Sequence, residues 1–598
     1  MNEPQKKFKL THELRIVVAS LLSLVVILLW AKFFGPKPPT VPPQGNRPAQ
    51  TAPATPGGGT PSAAAPSTNT AASPRGTASS MSGVVQAATL PKSDTEERTL
   101  VVENDLYRVE FSNRGAVVKS WQLKKYTDDA KPPHILDLVH PEAAKETGGW
   151  PFAIALNDEQ QEAAANGALY KISTPANTLQ APADVEFSWS DGHLEVTKRL
   201  HFDHTYVVRV ETTAKFNSAP IVAGTSWLGG FGDLTVKNPR PIDTVSIFYN
   251  ENGKLTLVAA KKLEGREKWP LGVWQGGKDW AGIQDRYFAA AFLPPNGAPP
   301  GTIESRYWRD SHTVKDDEGK EIEEPVPQVQ AATSAQPLAL RVYVGPKDYD
   351  ELKKLNPPLH SLVNFGWLEF IADPLFHGLK WIHKYVPNWG WDIVALTLII
   401  NMLLFPLKYS GYKTSLKMQR VAPEIKQIQE KYKKYSMRDP RKAEMNKEVM
   451  AVYSREGINP VGGCVPQLLQ MPIWFALYRA LQGTIEMRHA PWFGWIRDLS
   501  AKDPYYILPI LMGLSMYLAS KMTPMTATDP QQQAMMKFMP IGMAAMFVVI
   551  PYPSGLAVYI LTSGLVGVAQ QWWLNRRHPL PTQAAIQAQG KKSKGKKQ

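Results

Sequence analysis

The alternation of apolar and polar positions changes character several times along the chain, and each change predicts a different kind of element. Residues 1–15 carry Lys6, Lys7, Lys9 and Arg15 ahead of an apolar run, 16–34, that closes on Trp30, Phe33 and Phe34. A run of that length predicts a transmembrane anchor, with Lys32 reaching to the interface. It is long for a signal peptide and no small-x-small site follows directly, so the anchor is expected to stay uncleaved. Residues 35–91 hold almost no large apolar side chains and are rich in Pro, Ala, Thr, Gly and Ser. Such a segment buries too little surface to offset its ordering entropy and is expected to be a disordered linker.

From 92 to 348 the period becomes two. Residues 194–202 and 206–210 alternate apolar with polar side chains, and Asn113-Arg114-Gly115, Asp191-Gly192 and Asn252-Gly253 mark turns. This predicts an all-β sandwich outside the membrane. Residues 357–377 mix Leu359, Leu362, Val363, Phe365 and Phe370 with His360, Asn364 and Glu369, as an amphipathic interfacial helix does. Five apolar segments follow, at 391–408, 460–480, 505–521, 536–552 and 555–574. Most fall below the ~20 residues that span a typical hydrocarbon core. With the anchor they make six expected spans.

Charge adds orientation. The formal net charge is +14 over 598 residues, and the basic residues are clustered. Residues 411–456 hold Lys413, Lys417, Arg420, Lys426, Lys433, Arg438 and Arg441 among others, whereas 484–504 hold Arg488, Arg497 and Lys502 only. The first loop is therefore expected in the cytoplasm and the second outside, with both termini inside. Within 411–456, Ile425, Ile428, Tyr432 and Tyr435 recur at helical spacing, as do Met445, Val449 and Val452, with Asp439-Pro440 between them. That predicts a helical hairpin, solvated or in contact with a ribosome, a targeting factor or a substrate. The tail, 575–598, ends in a lysine-rich run suited to ribosomal RNA, to anionic lipid, or simply to fixing topology. The one cysteine, Cys464, excludes intrachain disulfides and thiolate-rich metal sites.

Catalytic chemistry finds little support. The sequence has no zinc-binding His-x-x-x-His, no P-loop, no Gly-x-Ser-x-Gly and no dinucleotide fingerprint. His193, His201 and His204 sit on alternating strands without an evident carboxylate constellation and suit surface roles. No cofactor, metal or specific DNA partner is expected. Polar residues inside the spans are more informative, because they are costly there. Thr397, Asn401 and Lys408 lie four and seven apart, close to one helical face; Gln467 and Gln470 share another; the last span carries Ser563 and Gln570. These groups could glue helices together or line a water-accessible groove, and their joint presence on three short spans favours the groove. Short spans would also thin the bilayer locally and lower the barrier to a hydrophilic tail. Met539 and Met543, with Met512 and Met516, offer a soft apolar surface for varied partners.

Several motifs then carry a resemblance. Asn459-Pro460 with Gly462-Gly463-Cys464 and Pro466 precedes Gln470-Met471-Pro472-Ile473 and Ala476-Leu477-Tyr478. Further on stand Asp503-Pro504-Tyr505-Tyr506, Phe538-Met539-Pro540 and Pro553-Ser554-Gly555-Leu556. Together these resemble the YidC/Oxa/Alb family of membrane insertases, strongly over 359–573 and more weakly over the β domain. The resemblance implies an α-helical polytopic membrane protein with a five-helix core and a periplasmic β-supersandwich. It implies work on nascent membrane proteins and cooperation with the SecYEG translocon. It also implies a substrate slide made of the third and fifth spans, where Trp474, Met539 and Met543 lie. Where the family's groove often carries an arginine, this sequence has Asn401, which can hydrogen-bond a tail but cannot attract an acidic one. Lys408 is expected to supply part of that charge. A transporter fits the polar spans less well, since no repeat halves or paired ionisable relay are evident. A sugar-binding β domain would rest on fold analogy alone.

Overall fold

The computed structural model describes residues 91–235, 245–266, 274–315, 321–335, 338–435, 439–459, 465–523 and 552–578, with parts of 538–548. The anchor, nearly all of the linker, Arg438, Cys464 and the tail beyond 578 lie outside the described residues.

The alternating segments form three sheets, one of ten strands and two of five. In the large sheet Val207–Phe216 pairs antiparallel with Leu194–Phe202 on one side and Ala339–Pro346 on the other. Leu194, Val196, Leu200 and Phe202 all turn inward at period two, as the sequence predicts. A second sheet is built on Thr99–Glu103, Tyr107–Ser112 and Val117–Thr127, and the third on the long pair Ile303–Lys315 and Glu321–Thr333. The layers close over an aromatic core in which Trp121 stacks on Phe152 at 5.7 Å and Phe111 meets Phe202 edge-on at 5.9 Å. At the Asn252-Gly253 turn both residues take positive φ, 53° and 76°, as a tight two-residue hairpin requires. The domain is not purely β. Two short helices interrupt it, α1 (Pro141–Glu146) and α2 (Glu159–Gly167), the second capped by Asp158 accepting from the Gln161 amide.

One inward position breaks the apolar rule. Lys198 is buried, and its Nζ donates to the carbonyls of Gly115, Ala116 and Phe152 at 2.8, 3.2 and 2.9 Å. Burial pushes its ammonium down to about 7, well below an exposed lysine. The unfolded chain therefore holds more protons than the folded one between about pH 7 and the ordinary lysine pKa, and stability rises with pH across that window. Thermal unfolding of the whole protein between pH 7 and 9 should show a gain on the order of 1 kcal/mol per pH unit, absent in Lys198→Met. An equal pH response in both proteins would refute it.

Beyond the sheets the chain is helical: α3 (Tyr349–Lys354), α4 (Glu369–His383), α5 (Trp389–Leu403), α6 (Phe405–Lys431), α7 (Arg441–Arg455), α8 (Val465–Gly483), α9 (Ile507–Met522) and α10 (Ser554–Arg577). The bounds depart from expectation in three places. The helix expected at 357–377 begins at Glu369, because His360–Leu362 and Gly366–Leu368 form short 3-10 turns, and it runs on to His383. It buries Phe376 and Leu379 and exposes Phe370 and Trp381, the two-faced pattern expected of it. The helix expected over 391–408 is broken at Leu404, where α5 and α6 meet at 53°. Pro406 causes the break: it has no amide to donate and its ring crowds the preceding turn. The hairpin thus starts at Phe405 rather than 411, and Lys408 stands on a different helix from Asn401. The hairpin itself closes over Val421, Ile425 and Val452, and Gly457 (φ 60°) ends α7 as its C-terminal glycine. Its first helical residue is Arg441, one place later than the capping pattern predicts, with Asp439 Oδ1 accepting from the Arg441 amide at 3.0 Å.

No helix among the described residues is alone long and apolar enough to cross a membrane; α5 and α6 pass that test together as a bent pair. The β domain packs on the helices through one continuous core that includes Ala476, Ala480 and Ile485. Polar contacts cross the same boundary. Arg286 Nε donates to the Gln482 carbonyl at 2.7 Å, and Arg488 pairs with Asp233 at 2.7 Å. His489 Nε2 lies 2.7 Å from Asp129, a contact that holds the Asp129 carboxyl below its ordinary range.

Candidate functional site

Polar residues scattered over 170 positions are gathered between α5, α6, α8 and α10, and each is placed by a local rule. Thr397 and Asn401 are one turn apart on α5 and both fully buried. Each satisfies itself first on its own helix: Thr397 Oγ1 donates to the Ile393 carbonyl at 2.6 Å, and Asn401 Nδ2 to the Thr397 carbonyl at 2.8 Å. Asn401 Nδ2 also lies 3.4 Å from Ser563 Oγ of α10, and Ser563 accepts from Gln470 Nε2 of α8 at 2.9 Å. Three helices are thereby tied at one level.

Lys408 completes the cluster from beyond the break. Its Nζ donates to Asn401 Oδ1 at 2.7 Å and reaches Gln570 Oε1 at 3.5 Å, while Gln570 Nε2 donates to the Asn401 backbone carbonyl at 3.3 Å. The 53° bend explains how a residue on the next helix returns to this site: the turn at Leu404 folds the lysine back over the end of α5. Lys408, Gln470, Ser563 and Gln570 are half-buried, whereas Thr397 and Asn401 are closed off. The cluster is therefore graded, sealed at the Thr397 end and open toward the ammonium. It can bind a chain through hydrogen bonds and one positive charge, and it holds no paired acid and base for covalent chemistry.

Of the other anticipated residues, Gln467 has no described side chain. Trp474 is half-buried on α8 and contacts Phe475 and Tyr478, with ring centroids 4.6 and 6.4 Å away. Met539 is 56% exposed, and Met543 packs against the same helical core as Trp474. Lys426, Lys433 and Arg441 stand exposed on the hairpin, away from the polar cluster, with Arg441 paired to Asp439 at 2.9 Å. The β-domain histidines take surface positions: His201 meets Asp184 at 2.7 Å and His193 meets Asn217 at 3.0 Å.

Two groupings escaped the sequence. Asp392, fully buried in the first turn of α5, lies 2.6 Å from His383 Nδ1, whose ring stacks on Trp389 at 3.8 Å. An acid inside an apolar run was the available signal. At the other end Asn575 Nδ2 donates to the Met522 carbonyl at 2.8 Å and Asn575 Oδ1 accepts from Tyr412 at 2.9 Å, joining α6, α9 and α10. Its spacing of four from Gln571, which also donates to Met522, would have shown it.

Comparison with known proteins agrees with this architecture. Residues 381–582 match the 60Kd inner membrane protein family, and residues 99–378 match the YidC periplasmic domain. A membrane protein insertase YidC of Citrifermentans bemidjiense is 34% identical over 571 residues, 94% of this chain and 99% of that one. Its counterpart in Syntrophus aciditrophicus is 32% identical over 517 residues, 84% of this chain and 89% of that one. The structural match to a solved active YidC insertase covers 81% of this chain and 94% of that one, at 16% identity and a TM-score of 0.33. With both halves of the chain matched and near-full-length relatives above 30% identity, the chain belongs to the YidC family of membrane protein insertases, inner-membrane proteins that carry a periplasmic domain.

Proposed function

We propose that the protein inserts membrane proteins into the inner membrane and helps them fold, with the cluster around Asn401 and Lys408 as the wall of a groove that receives the client's hydrophilic tail. The observation that carries this is the graded polar cluster: buried hydrogen-bonding groups at one end and a half-buried ammonium at the other. A tail that bonds there crosses less apolar barrier, and burial of the client's own apolar helix in lipid supplies the drive, so no nucleotide is needed. Trp474, Met539 and Met543 offer the greasy face along which that helix leaves.

In this reading the anchor 16–34 and the segments near 391–408, 460–480, 505–521, 536–552 and 555–574 make six spans around a five-helix core. Both termini face the cytoplasm, and the β domain the periplasm. Nascent membrane proteins and lipids are the direct partners. SecYEG is a cooperating partner, and the ribosome meets the basic hairpin (Lys426, Lys433, Arg438, Arg441) and the tail. The test is direct. Purified protein in sealed liposomes, given a newly made single-span client without ATP or translocon, is expected to protect the client's tail from external protease. Protection no greater than in protein-free liposomes would reject autonomous insertion.

A further inference from the structure

On the side of α9 away from the polar cluster, a groove of about 480 Å³ runs between that helix and helical residues of the 541–548 stretch. Its lining is apolar, with Pro509, Gly513, Leu514 and Tyr517 on one side and Ile541 and Ala545 on the other. The groove is not closed over by the described residues: Ile510 is 63% exposed and Leu514 52%. Pro509, Gly513, Tyr517 and Lys521 recur every four residues, so the groove leads along one helix face to a cation. Lys521 Nζ sits 5.4 Å over the Tyr517 ring and, among the described residues, makes no ion pair.

We propose that this groove binds one phospholipid of the cytoplasmic leaflet, an acyl chain lying over Gly513 and Ala545 and an anionic headgroup meeting Lys521. This deepens the insertase reading above and rests on its membrane placement. Length supports it. Eight residues separate Gly513 from Lys521, about 12 Å of helix at 1.5 Å per residue, within the about 15 Å of half a hydrocarbon core. Charge supports it too: an ammonium that makes no ion pair among the described residues, at the end of an otherwise apolar slot, is complementary to a lipid phosphate. The chemistry of the site is therefore that of a lipid, with a chain-shaped apolar slot ending at one positive charge.

Native mass spectrometry of the detergent-purified full chain, titrated with phosphatidylglycerol or phosphatidylcholine, tests the proposal. The wild type is expected to retain one phosphatidylglycerol in preference to phosphatidylcholine. Lys521→Gln should lower that preference about fivefold, the worth of one lysine near an anionic surface, while still retaining lipid. Gly513→Leu should fill the slot and reduce retention of both lipids. Equal retention and preference in all three proteins would overturn the site. So would disulfide capture of a client helix by Leu514→Cys in a Cys464→Ser background, which would assign the groove to clients. Client insertion by the same preparations is measured in parallel. Lipid retained without any insertion would strike the insertase reading and leave the lipid site standing.

Discussion

Lys408→Met is expected to reduce insertion of a client with an acidic tail by about tenfold and to leave a neutral-tailed client within about twofold. The ammonium has three donors; Asn401 Oδ1 takes one at 2.7 Å and Gln570 Oε1 lies at 3.5 Å, which leaves capacity for an incoming carboxylate. A hydrogen bond to a charged group is worth about 1.5–3 kcal/mol, and about 1.4 kcal/mol is already a factor of ten. Asn401 cannot replace that charge, since its amide is committed to Thr397 and Ser563. Lys408→Arg should keep most of the activity, because the charge stays and the fork can reach the same acceptors. Protease protection in sealed liposomes, run with paired acidic and neutral clients, reads both effects. Equal loss for both clients would reduce Lys408 to a structural tie between α5, α6 and α10; no loss for either would remove it from the site.

The second large effect lies outside the groove. Arg488→Met should destabilise the docked arrangement of the β domain by about 3–5 kcal/mol, the cost of leaving a buried charge without its partner. The side chains of Arg488 and Asp233 are each only 4% exposed and meet at 2.7 Å, and the guanidinium also lies 5.5 Å from the Phe288 ring centroid. Removing Arg488 strands the Asp233 carboxylate at the junction between a β-domain loop and the 484–504 segment. The double change Arg488→Met with Asp233→Asn should recover a large part of the loss, since two neutral groups strand no charge. Limited proteolysis across 226–235 together with thermal unfolding would show it. A single variant as stable as the wild type would mean that the apolar contacts of Ala476, Ala480 and Ile485 hold the junction alone.

Much of the protein is legible without coordinates because its signals are local. Period two in 194–202 gave a strand with those bounds, and Asn252-Gly253 gave a hairpin turn because few other dipeptides accept positive φ twice. The hairpin of α6 and α7 followed from apolar spacing on either side of Asp439-Pro440. Family membership followed from proline, glycine and tyrosine motifs that stand in one stretch of sequence. The residues of the polar cluster were partly legible, since polar groups in apolar runs are few and expensive.

What the sequence could not decide depends on distance in space rather than along the chain. Helical spacing put Lys408 on the face of Asn401, but the proline at 406 broke that helix, and the contact survives only because the bend folds the lysine back. Residues 360–368 carry the amphipathic pattern yet form 3-10 turns, because they pack into the β-domain core through Leu362, Val363 and Phe365. The pair Arg488–Asp233 was invisible for the same reason: nothing local distinguishes a charge that will find a buried partner 255 residues away from one that will face water. Sequence by itself determined the strands of the β domain, the helical hairpin and the family, because hydrophobic period and turn chemistry act over a few residues. Tertiary structure alone decided which charges are buried together and which helices share the polar cluster, because those energies depend on desolvation, and desolvation exists only once the chain has closed on itself.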